Sequence, residues 1–283
     1  MKPEKIGVIG TGLLGTAMAE RLLAQGYAVV VYNRTKSKTD ALVERGAEWS
    51  ENPFVECERI VVSLYTTDVV KEVLARMEPA MRPGQLLIDT TTGDPVETPA
   101  LGARLAKRGV RYLEAPVSGS SAQARRGEVT VIVAGEREAH EACADIFADV
   151  AARTFFVGPW GNGVRMKLVT NLVLGLNRAV LAEGLGFAKS IGLGASEALE
   201  VLRNSAATSG VMFTKGEKMI TGDFTPQAKL SQHLKDVRII LGEGERAAID
   251  LPLSKLHCEL LSGLERDGYG AEDNCAIIRA FDK

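Results

Sequence analysis

Two hydrophobic patterns divide the chain. Up to about residue 158, short apolar runs alternate with stretches in which apolar residues recur every three or four positions. The short runs predict buried strands, and the wider spacing predicts amphipathic helices. Beyond residue 158 only the helical spacing remains. The chain is therefore predicted to be an α/β protein: a doubly wound parallel sheet over residues 1–160, followed by an all-helical domain over residues 161–283.

The predicted strands are short apolar runs, and they lie at residues 5–9, 28–32, 60–64, 85–89, 111–114, 129–134 and 154–157. Helices are expected after the first strand and at residues 68–77 and 97–107. In such a sheet, ligands bind at the carboxyl ends of the strands. Leu64 and Tyr65, and the hydroxyl-rich loop of residues 89–95, are therefore expected to face a ligand, although hydroxyl-rich loops also serve as simple helix caps.

Residues 161–190 are predicted to form one helix of roughly 45 Å. Its apolar residues point in nearly every direction, so most of it is expected to be buried. Lys167 and Asn171, four residues apart, lie on one face. Burial lowers the pKa of a lysine, which suits a proton donor at neutral pH, but a lysine in a first turn also reaches solvent easily. Small residues that would admit another helix form a stripe: Gly175, Ala179, Ala182 and Gly186.

A glycine-rich turn follows the first strand directly and opens a helix. It consists of Gly10, Thr11, Gly12, Leu13, Leu14 and Gly15. In this strand-to-helix context the first glycine permits a tight turn, the second lets a pyrophosphate approach the backbone, and the third lets helix and strand pack closely. The turn therefore predicts a dinucleotide-binding domain.

The residues after the second strand bear on which dinucleotide binds. An NAD site normally places Asp or Glu there, whereas this chain has Asn33, Arg34 and Thr35, followed by Lys36 and Lys38. The local positive charge suits the 2′-phosphate of NADP. The alternative is a solvated basic turn, which fits the two lysines individually; Arg34, directly after the strand, favours the phosphate.

Composition argues against several kinds of partner and cofactor. The chain is 46% hydrophobic and 25% charged with a net charge of -2, so no charge excess points to nucleic acid. No uninterrupted apolar run approaches the roughly 20 residues of a membrane span, and the first strand leaves no room for a signal peptide. Four cysteines without a CxxC pair indicate a reducing, cytoplasmic location. Three scattered histidines have no metal-binding spacing, so no metal is expected.

Two further segments, one around Ser118 and one with Lys235 and Asp236, have more than one interpretation. The segment around Ser118 offers backbone amides and hydroxyls for a carboxylate, but without a GxSxG elbow Ser118 is not expected to be a nucleophile. A later helix carries Lys235 and Asp236, for which spacing alone favours a solvated charge pair.

These motifs in combination resemble the β-hydroxyacid dehydrogenase family. The resemblance covers essentially the whole chain and rests on GTGLLGTAMA at 10–19, DTTT at 89–92, PVSGS at 116–120, GNGVRMKLVTN at 161–171 and KD at 235–236. It implies that Lys167 is catalytic with Asn171 as its helper, and that Lys235 closes over the cofactor with Asp236 beside it. It also implies that Thr92 lies between nicotinamide and substrate, and that Ser118, Gly119 and Ser120 bind the substrate carboxylate.

The resemblance implies an NADP-dependent enzyme that interconverts a short carboxylated aldehyde, such as glyoxylate or succinic semialdehyde, and its hydroxyacid. Alternatives are a 3-hydroxyisobutyrate or tartronate semialdehyde dehydrogenase, an imine reductase, and a non-catalytic NADP-binding module. Thr170, Ser120 and Ala228 depart from the patterns of individual branches, which leaves the substrate open. Residues 161–283 are expected to close over the substrate and to form a homodimer or homotetramer through their helices.

Overall fold

The computed structural model describes residues 4–281 and divides into two compact units, residues 1–167 and 168–283. The division falls inside the long helix, seven residues beyond the boundary predicted at residue 160. The predicted assignment of a substrate-closing, oligomerising role to residues 161–283 stays a prediction.

The described part of the first unit, residues 4–167, contains nine strands in one sheet. They are β1 Lys5–Ile9, β2 Ala28–Tyr32, β3 Glu48–Trp49, β4 Arg59–Val62, β5 Leu86–Asp89, β6 Arg111–Glu114, β7 Val117–Ser118, β8 Thr130–Gly135 and β9 Arg153–Phe156. The order is β3-β2-β1-β4-β5-β6-β8-β7, with β9 paired to β8. The strands from β3 to β6 pair in parallel, which confirms the doubly wound sheet.

Beyond β6 the sheet also contains antiparallel pairs, which the predicted fold class did not describe. Strand β8 runs antiparallel to β6, with Leu113 opposite Gly135, and also antiparallel to β7. Residues 115–129, which include β7 and a short helix at Ser121–Arg126, connect β6 to β8 and bring β8 back alongside both strands in the opposite direction. The two-residue strands β3 and β7 were missed because so short a run has no readable periodicity.

Within residues 4–161, seven α-helices cover both faces of the sheet, and an eighth begins at Asn162 and continues into the second unit. They are α1 Leu13–Ala24, α2 Asp40–Val43, α3 Thr67–Met77, α4 Glu97–Ala106, α5 Ser121–Arg126, α6 Arg137–Glu141, α7 Ala144–Val150 and α8 Asn162–Ser190. Alternate residues of one strand enter different cores: Ile6 and Val8 of β1 pack in one, and Ile9 packs in the other. Burial on both faces explains why these strands are continuously apolar.

The second unit is helical throughout its described residues, apart from one isolated bridge between Lys229 and Asp273. After α8 come α9 Ala195–Arg203, α10 Gly210–Thr221, α11 Leu230–Arg246 and α12 Pro252–Arg266, then 3-10 turns at Tyr269–Ala271 and Asn274–Ala280. Its core joins Leu181 and Leu185 of α8 to Leu234 of α11, Leu261 of α12 and Ile277.

The expectation that most of α8 is buried was wrong. Its Leu181 is 1% exposed, but Val180 is 66% and Phe187 is 63% exposed. A helix with apolar residues in all directions can bury only the side that the rest of one chain covers. By length and composition alone, α8 is also long and apolar enough to cross a membrane, a property that core helices of soluble proteins share. In the structure, 39% of its most apolar stretch is buried.

Candidate active site

The glycine turn of the first unit has the geometry of a phosphate-binding turn. Gly10 has φ +97°, and a Cβ there would lie 2.3 Å from Ser63 O. A Cβ on Gly15 would lie 1.9 Å from Gly10 O, so the start of α1 packs directly on the turn. At Gly12, by contrast, no atom lies within 4 Å of the corresponding position. The open space beside Gly12 at the N-terminus of α1 fits a pyrophosphate.

Asn33 connects this turn to the end of β2. Its Oδ1 accepts a hydrogen bond from Thr11 N at 3.2 Å, and its Nδ2 donates to Thr35 O at 2.9 Å. The loop is thus held against the glycine turn by an amide where many dinucleotide sites have an acid. The sequence missed this bridging role, because nothing in the local pattern shows which groups the amide reaches.

The basic residues after Asn33 have different surroundings. Arg34 and Lys38 are exposed, whereas the ammonium of Lys36 lies 3.9 Å from the centre of the Trp49 ring. A cation over an indole face is electrostatically favourable, so Lys36 is already engaged within the protein. Arg34 follows Asn33 directly, next to the phosphate-binding turn.

The loops after β4 and β5 are held to each other. Thr91 Oγ1 accepts from Leu64 N at 3.2 Å, and Thr91 N donates to Asp89 Oδ1 at 2.9 Å. The Asp89 carboxylate also accepts from the Tyr112 hydroxyl at 2.9 Å, and burial raises the pKa of Asp89. Thr92, next in the loop, is half-buried. These bonds fix the loop in which the motif places Thr92.

The segment 118–120 combines an open backbone with a helix cap. Ser118 ends β7, and Gly119, which follows, is exposed with φ +150°. Ser120 caps α5: its Oγ accepts from Gln123 N at 3.3 Å, and its own N–H donates to Gln123 Oε1 at 2.9 Å. This capping box was missed, although Ser120 and Gln123 have its sequence spacing. Substrate binding by Ser118, Gly119 and Ser120 stays a prediction.

A buried carboxylate holds the start of α8. Glu114, the last residue of β6, is 1% exposed; it accepts hydrogen bonds from the backbone N–H groups of Gly161 and of Val164, the latter at 3.0 Å. Burial raises the pKa of Glu114, while the backbone donors oppose that shift. A Cβ on Gly163 would lie 2.8 Å from Glu114 Oε2, so only glycine leaves room for this contact. Sequence reasoning took Glu114 merely as a strand end.

Lys167 lies in the second turn of the helix so anchored, and it is 6% exposed. The sequence left burial and reach to solvent as alternatives, and the structure shows burial. A lysine that carries its amine into such surroundings loses hydration, which is costly unless its protein neighbours or a bound ligand compensate.

In the second unit, Asp236 joins Asn171 to Lys235. Asn171 Nδ2 donates to Asp236 Oδ2 at 2.8 Å, and Lys235 Nζ lies 2.9 Å from Asp236 Oδ1. Asn171 and Asp236 are buried, and the side chain of Lys235 is 14% exposed. The solvated pair favoured by spacing is therefore wrong: this ion pair is largely removed from water. Helices α8 and α11 bring the three residues together, which no local sequence signal could show.

One buried arginine and two buried histidines form a further group that was not anticipated: Arg178 of α8, His233 of α11 and His257 of α12. The rings of His233 and His257 are 5.2 Å apart, and a Cβ on Gly175 would lie 2.4 Å from His233 Nε2. Burial, and then Arg178, lower the pKa of His257 to about 4. Burial lowers the pKa of Arg178 to about 10. Gly175 thus makes room for imidazoles rather than for a helix backbone, which corrects the predicted small-residue stripe at that position.

Comparisons with known proteins agree with this arrangement. Residues 5–158 match the NAD binding domain of 6-phosphogluconate dehydrogenase, and residues 161–281 match the family described as NAD-binding of NADP-dependent 3-hydroxyisobutyrate dehydrogenase. The chain is 31% identical to glyoxylate/succinic semialdehyde reductase 1 of Arabidopsis thaliana, over 98% of each chain. It is 33% identical to the cytokine-like nuclear factor N-PAC of Aedes aegypti, but spans about half of that protein, 48%.

Solved structures show the same fold. A 3-hydroxyisobutyrate dehydrogenase from Salmonella typhimurium superposes with a TM-score of 0.90 at 23% identity, over 98% of this chain and 99% of the other. Psf3 in complex with NADP+ and 2-OPP gives a TM-score of 0.88 at 24% identity, over 97% and 99%. An imine reductase from a Pseudomonas species gives a TM-score of 0.69 at 20% identity, over 98% of this chain and 99% of the other.

The fold, the phosphate-binding turn and the comparisons define an oxidoreductase that uses a nicotinamide dinucleotide. Within that class, the chain belongs to the β-hydroxyacid dehydrogenase family.

Proposed function

We propose that this protein is an NADP-dependent reductase of short carboxylated aldehydes, of the glyoxylate or succinic semialdehyde kind, and that Lys167 is its acid/base residue. The observation that carries the proposal is the burial of Lys167 on a helix whose first turn is fixed by Glu114. A relative named as a glyoxylate/succinic semialdehyde reductase matches the chain end to end and supports the substrate class.

The residues of the first unit fit the cofactor. The open space at Gly12 accommodates a pyrophosphate, Asn33 and Thr35 line the loop beside it, and Arg34 supplies a guanidinium for a 2′-phosphate. Leu64, Tyr65 and Thr92 follow the neighbouring strands. When bound, NADPH supplies the hydride that reduces the aldehyde carbon.

Lys167 then supplies the proton. As the carbonyl carbon is reduced, the carbonyl electron pair moves to the oxygen, which takes a proton from the Lys167 ammonium and becomes the hydroxyl of the product; in the oxidative direction Lys167 takes that proton back. Asn171, which donates to Asp236, keeps its amide oxygen as an acceptor for the polar groups of the reaction. Ser118, Gly119 and Ser120 are proposed to receive the substrate carboxylate.

The test is a panel of substrates with the purified full-length protein. Glyoxylate, succinic semialdehyde, methylglyoxal, tartronate semialdehyde and a cyclic imine are each supplied with NADPH and with NADH, and 3-hydroxyisobutyrate is supplied with NADP+ and NAD+. Turnover of the carboxylated aldehydes with NADPH, and slower turnover of methylglyoxal, is expected. Faster oxidation of 3-hydroxyisobutyrate or faster imine reduction would replace the proposal by one of those activities. No turnover with any compound would favour a non-catalytic NADP-binding protein.

We further propose that the protein acts in the cytoplasm as a homodimer or homotetramer formed through its C-terminal helices, independently of nucleic acid and membranes. Support comes from exposed apolar side chains on α8, among them Val173, Val180 and Phe187. Because apolar surface along one helix is costly in water, a second copy of the chain is the proposed cover. Light scattering checks it: Val180→Glu should yield monomers, and a wild-type monomer would contradict the assembly.

A further inference from the structure

Asp273 lies outside the residues so far assigned to the reaction, yet its carboxylate accepts five hydrogen bonds from four donor groups within the second unit. It is 0% exposed and directly precedes the 3-10 turn Asn274–Ala280. Lys215 Nζ of α10 lies 2.8 Å from Oδ1 and 2.9 Å from Oδ2. Cys275 N donates to Oδ1 at 3.1 Å. One ionised side chain therefore connects α10 to the C-terminal turn.

The remaining two donors belong to the segment that leads into α11. Gln227 N and Ala228 N donate to Asp273 Oδ2 at 2.8 Å and 3.2 Å. Backbone bonds add to this: Asn274 N donates to Ala228 O at 2.9 Å, and Leu230 N donates to Glu272 O at 2.9 Å. Residues 227–230 are thereby fixed to residues 272–274.

The start of α11 depends on that attachment. Lys229, at the N-cap position, makes no side-chain cap bond. Leu230 N, one of the N–H groups that a helix leaves without an intrahelical partner, is instead satisfied by Glu272 O. The helix therefore begins where the C-terminal segment holds it.

Lys235 and Asp236 lie in the second turn of the same helix. Asp236 meets the Asn171 amide at 2.8 Å and Lys235 at 2.9 Å. Hydrogen bonds of this length tolerate little displacement, and misplacement of a site by about 1 Å costs on the order of a hundredfold in rate. A shift at the first turn of α11 would be carried directly to both residues.

The Asp273 carboxylate is held in its ionised form although it is buried. Burial alone would raise the pKa of Asp273, but attraction to Lys215 and the bonds from Lys215 and the backbone hold that pKa below its ordinary value. An ionised carboxylate accepts on both oxygens, which is what five hydrogen bonds from four donor groups require.

We propose that Asp273 is a positioning residue for the reductase: it fixes residues 227–230 and, through them, the turn of α11 that presents Lys235 and Asp236. The proposal rests on the proposed function for its kinetic consequence, whereas the fixing of the segment stands on the contacts alone. Lys215 serves a different purpose, which is to neutralise the buried charge.

Two variants of one ion pair separate these purposes. Asp273→Asn keeps the size of the side chain but replaces one acceptor oxygen by an amide that cannot accept, so it removes bonds to the segment. Lys215→Met breaks the same ion pair but leaves the carboxylate with its three backbone N–H donors, which also favour its ionised form. Asp250→Asn, which breaks the exposed pair with Lys255, is the control. KM and kcat for the aldehyde and hydrogen exchange of backbone amides are measured on all three full-length proteins, well below their unfolding temperatures.

Asp273→Asn is expected to raise KM for the aldehyde about tenfold or more and to accelerate exchange selectively at residues 227–236. Lys215→Met is expected to lower the unfolding temperature while KM stays within about twofold of wild type. Equal KM changes in both variants, or faster exchange spread evenly over the second unit, would show a merely structural role and overturn the proposal. So would unchanged exchange at residues 227–236 in Asp273→Asn.

If Asp273→Asn does not fold, Asp273→Glu decides, because it keeps the charge and displaces the oxygens by one methylene. The same KM increase supports the proposal, and an unchanged KM overturns it. If wild type reduces no aldehyde at all, the proposed function fails, and the exchange experiment alone decides whether Asp273 fixes the segment.

Discussion

The carboxylate of Glu114, at the end of β6, accepts a hydrogen bond from Val164 N in the first turn of α8, at 3.0 Å. With its second bond, to Gly161 N, it satisfies two of the N–H groups that a helix leaves without intrahelical partners. A negative charge there also interacts favourably with the helix dipole. The sheet thus fixes the turn that precedes Lys167.

Glu114→Gln is expected to destabilise the protein and slow the reaction. The amide nitrogen of Gln faces a backbone N–H that it cannot accept from, which costs about 1–3 kcal/mol of unfolding free energy. A displaced helix start should lower kcat for the aldehyde, while the affinity for NADPH stays near that of wild type. Urea unfolding and steady-state kinetics check this. Wild-type stability together with wild-type kcat would show that the contact holds nothing in place.

The sequence was sufficient to predict the strands and helices that have a local hydrophobic pattern. Short apolar runs predicted β1, β2, β4, β5, β6, β8 and β9, and the glycine turn predicted the start of α1, because each signal is contained within a few neighbouring residues. The antiparallel direction of β8 was not predicted, since the direction of a strand depends on how its connection crosses the sheet. The exposure of α8 was also missed, because periodicity does not show how much of a helix one chain can cover.

The candidate site was predictable only as separate motifs. Lys167, Asn171 and the pair at 235–236 were identified by resemblance, but the chain of contacts from Asn171 through Asp236 to Lys235 spans 65 residues in sequence. Glu114 and Asp273 had no signal at all, because a lone acid near a strand end or before a turn is usually solvated. Burial and partners identify such residues, and both require the folded chain.

Lys167→Met tests the proton donor. Methionine preserves the length and apolar packing of the lysine stem but cannot transfer a proton, so kcat should fall by about 10²–10⁴-fold, with the Kd of NADPH nearly unchanged. Single-turnover reduction and NADPH fluorescence titration measure the two quantities. Arg165→Met on the same helix, whose side chain is exposed, is the control. Turnover that persists in Lys167→Met would rule out this residue as the acid.

Arg34→Ala tests the cofactor preference. If the guanidinium binds the 2′-phosphate, its loss should weaken NADPH by about tenfold or more, as expected for a charge-assisted contact, and leave NADH within about twofold. Lys36→Ala is the matched control from the same loop, because the Lys36 ammonium is engaged with Trp49. Titration of each variant with both cofactors gives the result. Equal weakening of NADPH and NADH by Arg34→Ala would refute the phosphate contact.

Two glycines of α8 provide a matched pair. A Cβ at Gly175 would lie 2.4 Å from His233 Nε2, whereas no atom lies within 4 Å of the Cβ position at Gly184. Gly175→Ala should therefore cost about 1–3 kcal/mol of unfolding free energy through overpacking. Gly184→Ala should gain up to about 1 kcal/mol from helix propensity. Thermal and urea unfolding compare them, and stabilisation by both substitutions would mean that the imidazoles do not lie against Gly175.

His257 predicts how stability depends on pH. Its folded-state pKa is lowered from 6.5 to about 4 by burial and by Arg178, so between these values the unfolded chain binds the proton more readily. The contribution of neutral His257 is complete above pH 6.5 and is lost as the pH falls to about 4. The shift corresponds to about 3 kcal/mol. Urea unfolding at intervals from pH 7 to pH 4 should show this loss in wild type and a smaller one, by roughly that amount, in His257→Gln. The variant carries no titrating imidazole at this position, so identical pH dependence in both proteins would assign the acid sensitivity to other groups.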